Sequence, residues 1–171
     1  MTFEPPPLPQ EPPFGDTERD MLEAFLDHYR AIILRKLGGL SLEDATRRLV
    51  PSDSTLLGIV KHLGYVERNW FQMRLDGQDL PVPWTDEDPD ADFRIEPGED
   101  VESVAAWYQD QCARSRELSH AAASLDQVAR AAGRRGTANL RWILVHMIEE
   151  TARHAGHVDV ARELIDGTTG E

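Results

Sequence analysis

The ionisable residues best arranged for chemistry lie in one run, Leu140 to Asp166, read LRWILVHMIEETARHAGHVDVARELID. For a helix turning roughly 100° per residue, Ile143, Met147, Val158, Ala161 and Ile165 share one apolar stripe. His154 falls at the centre of that stripe, Glu150 one turn earlier on the same side, and His146 and His157 at its edge. A carboxylate and an imidazole on an apolar face are costly unless paired, hydrogen-bonded or bound to a metal. His62 is a further candidate, at the edge of a second apolar stripe. Two imidazoles and a carboxylate suit a catalytic divalent metal that keeps positions open for water or substrate. Side chains four apart on a helix point the same way, about 6 Å from each other, so Glu150 and His154 can reach one ion. The H-E-x-x-H spacing is absent, which leaves a zinc-protease reading without support. The residues alone also permit a plainer arrangement. In it His154 is a hydrogen-bonded core histidine, Glu150 pairs with Arg153 or Arg141, and His146 and His157 line a polar channel or are themselves the ligands.

These groups must be held by helices. The spacing of Met21, Leu22, Phe25, Leu26, Tyr29, Ile32, Ile33 and Leu37 predicts a first helix over Thr17–Leu37, stopped by Gly38 and Gly39. A connector, SLEDATRRLV, follows, with room for a short helical turn. The second helix is expected from Ser52 or Asp53, after Pro51, to Leu75. Its stripe is Leu56, Ile59, Leu63, Val66, Trp70 and Met73, with His62 beside it. Residues 76–98 show no helical period and carry an acidic cluster, Asp86, Glu87, Asp88, Asp90 and Asp92, read as a solvated loop. So long an irregular connection has a reason if the helices it joins run parallel, because the chain must then cross the bundle's length. A third helix is expected over Val101–Ala122, with Cys112 as a small core residue. After a connector containing the basic turn Gly133-Arg134-Arg135-Gly136, the fourth begins near Thr137 or Asn139. Four long helices without strand-like alternation predict an all-α four-helix bundle.

Composition narrows the function classes. The chain's 171 residues are enough for one domain with a sizeable core. A formal charge of −13 disfavours nucleic acid and anionic membranes as partners. A single cysteine excludes an intrachain disulfide and suits a reducing compartment. With no apolar run long enough to span a bilayer, the expectation is a cytoplasmic protein without membrane contact. Residues 1–15 hold six of the 11 prolines and are expected as an extended arm, loose or laid over the surface, ahead of a bundle domain over 16–171.

Three stretches carry a family resemblance: PSDSTLLGIVKHL running into HLGYVERNWF, DADFRIEPGEDVESVAAWY, and LRWILVHMIEETARHAGHVDVARELIDG. Together they resemble the DinB superfamily, most closely an actinobacterial branch, over most of the chain from residue 16. The resemblance implies a bundle in up-down-down-up order with a long crossover between the second and third long helices. It also implies a divalent metal held by one histidine on the second and two residues one turn apart on the fourth. Where the family has His-Arg-Gly-Gln, this chain has His154-Ala155-Gly156-His157; Glu150 stands where the family often has histidine. A glutamate there is similar to mycothiol-dependent maleylpyruvate isomerase and related thiol transferases. The implied ligands are therefore His62, Glu150 and His154, with His146, His157, Tyr65, Glu67 and Arg141 as supporting or pocket groups. Ala155 and His157 depart from the family motif and alter the surroundings of the site.

The implied activity is transfer of a low-molecular-weight thiol, such as mycothiol, to an electrophile, or a related thiol-dependent detoxification. The metal would be zinc first, with nickel, iron or manganese as alternatives. Two other functions are carried beside it: a metal-dependent hydrolase, and a non-catalytic, stress-related metal-binding bundle. A homodimer is an expectation carried over from the relatives.

Overall fold

Each of the five α-helices among the described residues starts where a side chain accepts from an amide that the helix itself leaves without an acceptor. The computed structural model describes residues 3–133 and 135–170; Met1 and Thr2 of the proline-rich arm, and Arg134 of the basic turn, lie outside the described residues. Helix α1 spans Glu18–Arg35 behind the Thr17 cap, and a short α2 spans Leu42–Ala45 behind Ser41. Helix α3 spans Leu56–Glu67 and widens without a break into a π-helical stretch, Arg68–Leu75. Helix α4 spans Val101–Ala121, opened by a reciprocal cap between Asp100 and Ser103. Helix α5 spans Leu140–Asp166, capped by Asn139 and ended by Gly167 at φ 78°, a left-handed conformation suited to glycine. The fold is all-α, and the described residues hold isolated bridges but no strand.

Two expected boundaries shift. Helix α3 begins at Leu56 rather than after Ser52 or Asp53, because the Thr55 hydroxyl accepts from the Gly58 amide and takes the capping position. In the π-helical stretch the core face moves to Phe71, Gln72 and Leu75, and Trp70 and Met73 are left only partly covered. The wider winding makes Glu67, Phe71 and Leu75, spaced four apart, the inward series.

Pairs of residues fix how the helices run. Glu18 meets Arg141 and Lys36 meets Asp159, so α1 and α5 run the same way. Trp70 meets Trp142 while His62 meets His154, so α3 opposes α5. Lys61 meets Glu99, just ahead of α4, and Gln72 meets Gln111, so α4 follows α3 in direction. The segment between α3 and α4 therefore travels back along the bundle, and it is this segment that reaches the chemically interesting face of α3.

The interior holds two apolar clusters. One includes Ile33, Leu37, Leu57, Val60, Ala105, Tyr108 and Val158; the other includes Leu26, Phe71, Leu140, Ile143, Leu144 and Met147. Burying each large side chain of this kind contributes about 1.5–3 kcal/mol. Phe3 and Leu8 of the arm pack against the first cluster, and the Gly39 amide donates to the Phe3 carbonyl, which ties the arm down over the surface.

Candidate metal centre

His62 on α3 and Glu150 and His154 on α5 converge, with one ligand atom of each lying within 4.8 Å of the others. Helix α5 brings its pair together by spacing alone: His154 Nε2 lies 3.2 Å from Glu150 Oε1. Packing against α3 adds His62, whose Nε2 is 3.6 Å from the same oxygen. Glu150 and His154 are buried, and His62 is partly so. The second Glu150 oxygen accepts from Arg153, which lies one turn away at the surface.

The remaining ring nitrogens are also engaged. His62 Nδ1 is 2.8 Å from Asp92 Oδ2 and donates there; without a metal its Nε2 faces Glu150 as a hydrogen-bond partner, and a metal would take that nitrogen's lone pair instead. His154 Nδ1 is 3.4 Å from His157 Nδ1; with Nε2 as the ligand atom, the proton sits on Nδ1 and His157 accepts it. An imidazole whose outer nitrogen donates to a carboxylate is the usual support of a metal-ligating histidine. Burial disfavours protonation of His62, yet its hydrogen bonds to Asp92 and Glu150 outweigh burial and raise its pKa. Hydrogen bonds from His154 and His62 hold the Glu150 carboxyl well below the usual carboxylate range, so it is ionised at neutral pH. Two imidazoles and an ionised carboxylate, all converging, fit a divalent ion with positions left for another ligand.

Asp92 is absent from the residues singled out by sequence. It belongs to the acidic cluster of the crossover segment, yet it is only 4% exposed, on a short turn spanning Ala91–Phe93. The neighbouring Phe93 ring stacks on His62 at 4.1 Å. Two features of α3 allow this approach. Gly58 lets the crossover backbone come close: a Cβ there would lie 2.4 Å from the Phe93 carbonyl oxygen. Lys61 then pins the segment, donating to the Arg94 carbonyl and to Glu99, each at 2.7 Å. The signal available in sequence was the motif DADFRIEPGED itself, which the resemblance included without assigning Asp92 a task.

The supporting candidates lie in different places. His157 touches His154 at the exposed edge of the site. His146 stacks on Trp142 at 5.0 Å and meets Trp70 at 4.9 Å, one turn of α5 before Glu150. Tyr65 packs against Trp84 and Trp107. Glu67 is fully buried and receives both Arg30 nitrogens, at 2.7 and 2.6 Å, in an ion pair that joins α1 to α3. Arg141 bridges Glu18 and Asp126 at the surface. Cys112 is buried, and burial first, then the Glu67 charge, pushes its thiol up to about 12, so it supplies no thiolate at neutral pH.

Comparison with known proteins gives a family match and a likeness among solved structures. A family model described as Mycothiol-S-transferase matches residues 21–167. Among solved structures, a conserved protein from Enterococcus faecalis superposes with a TM-score of 0.65 at 13% identity, covering 90% of this chain and 100% of that one. At that identity the likeness concerns the fold. No curated protein matches.

Proposed function

The chain belongs to the mycothiol S-transferase family, which is DinB-like, and from that premise we propose that it joins a low-molecular-weight thiol to an electrophile at a divalent metal held by His62, Glu150 and His154. The observation that carries this reading is the convergence of three ligand atoms while the Nδ1 of each histidine lies against another partner, Asp92 or His157. A divalent ion bound there would lower the pKa of a thiol, making thiolate the form present at neutral pH. Zinc is the first choice, since it accepts this donor set and undergoes no redox change.

The chain's own residues do the remaining work. Asp92 and Phe93 fix the plane and tautomer of His62, and Glu150 contributes the negative charge that offsets the cation. His157, at the solvent edge, accepts from His154 Nδ1 and so holds the tautomer that presents Nε2, while the thiol's proton leaves to solvent. The sulfur's electron pair forms the new carbon–sulfur bond. The leaving group departs with its own pair or, where the electrophile is an activated alkene, the resulting carbanion takes up a proton. Mycothiol is the thiol we assign. The lone, buried Cys112 suits the reducing compartment, the cytoplasm, in which such a thiol is kept.

Metal loading is the direct test. Purified chain dialysed against zinc is expected to retain about one equivalent, and His154→Ala to retain far less. Undiminished zinc in His154→Ala would reject the ligand assignment.

A further inference from the structure

Two clefts flank the candidate metal centre along α5, and they differ in the side chains they offer. On the side of His154 and His157 is a cavity of about 470 Å³, within the range of small-molecule sites. Leu56, Ile59 and Ala161 line it, with the hydroxyls of Ser52, Ser54 and Thr55 along one wall, the last of them already accepting from the Gly58 amide. At its mouth stand three large apolar side chains in contact with solvent: Val50, Val160 and Leu164, 49%, 59% and 63% exposed. The charged side chain on this wall, Arg47, is already engaged by Asp44. On the other side, one turn of α5 before Glu150, is a cleft of about 580 Å³ with Trp70, Trp142, His146, Arg74 and Arg135 on its wall.

A sugar-bearing thiol is rich in hydroxyl groups, and a cavity walled mainly by apolar side chains would replace few of the hydrogen bonds those groups make to water. The second cleft offers what such a molecule requires: indole faces for stacking, and guanidinium and imidazole donors. The apolar cavity is then left for the other reactant. Resting on the proposed thiol transfer, we infer that the cavity bounded by His154, Phe93 and the exposed side chains of Val160 and Leu164 receives the electrophile, whose body is an uncharged alkyl or aryl group. The three exposed apolar residues at the mouth are then the entry surface for that group. Isolated exposed apolar residues need no explanation, but a group of them around a cavity that ends at a metal ligand does. Selectivity follows from wall chemistry: apolar electrophiles are accepted in proportion to the carbon they bury, and charged ones are refused.

The test uses unreactive stand-ins, so it depends on neither thiol nor turnover. Calorimetric titration of the intact chain, zinc-loaded and metal-free, would use methyl n-alkyl ketones from methyl propyl to methyl heptyl ketone. Each added methylene is expected to tighten binding by about two- to fourfold. Val160→Glu or Leu164→Glu should weaken the longer ketones by roughly tenfold or more. Val145→Glu, at another exposed apolar position on α5, should leave them unchanged. Circular dichroism checks that each variant is folded, which exposed positions favour. Binding that ignores chain length, or equal losses in Val145→Glu and Val160→Glu, overturns the inference. Ketone binding as expected in a chain that takes up no metal would preserve the cavity assignment and reject the proposed function instead.

Discussion

At His62 the account depends on where one proton sits. The ring can offer Nε2 to an ion only if Nδ1 holds the proton, and Asp92 Oδ2, 2.8 Å away, secures that tautomer. Asp92→Ala is therefore expected to lower zinc affinity by about 10–100-fold in a competition titration with a chromophoric chelator. Asp92→Asn, which keeps an acceptor oxygen, should recover part of the loss. Affinity within twofold of the parent in Asp92→Ala would show that the contact is incidental. His62, Glu150 and His154 were legible as candidates from helical periodicity, and the family resemblance selected them over His146 and His157. Asp92 was not. It stands among Asp86, Glu87, Asp88 and Asp90, and only tertiary packing separates the buried member of that cluster from the solvated ones. Trp70 and Met73 illustrate the same limit, since their place on the stripe assumed α-helical winding and the chain winds wider there.

At the scale of elements, the site is assembled by α3, α5 and the crossover between α3 and α4. Gly58 is where α3 and the crossover meet. A methyl group there has no space, because the atom it meets at 2.4 Å is the Phe93 backbone oxygen rather than a flexible side chain. Gly58→Ala should push the Ala91–Phe93 turn away from α3, loosening both the Asp92 contact and the Phe93 stack on His62. Zinc affinity is expected to fall by roughly tenfold although no ligand is altered. An unchanged affinity, with the variant folded by circular dichroism, would mean that the turn does not support the metal site. Gly64 shows the same close fit toward α4, where an added Cβ would come 2.1 Å from the Trp107 ring. The existence and approximate limits of the long helices were legible from apolar periodicity and from Gly38–Gly39 and Pro51. The exact start of α3 was not, since Ser52, Asp53, Ser54 and Thr55 are all competent caps and the choice among them depends on packing.

For the whole molecule, helix directions decide what faces what. Helix α5 opposes α3, so successive turns of α5 from Trp142 to Leu164 pass the aromatic cleft, the candidate metal centre and the apolar cavity in order. That order was not legible, because it depends on which faces of α3 and α5 meet and how far the widened end of α3 stands from α5. The Arg30–Glu67 pair fastens α1 to α3 beneath this face, and burial, which disfavours the Arg30 charge, is outweighed by Glu67, so its pKa rises. The central claim is thiol transfer that depends on the metal. It is tested most directly by following loss of mycothiol with a bimane electrophile, in zinc-loaded, chelator-stripped and His154→Ala protein. The account predicts a rate proportional to zinc-loaded protein, absent without thiol, and reduced to the uncatalysed background in the other two. Background rates in fully zinc-loaded protein, or electrophile consumption that persists unchanged without thiol, would contradict it.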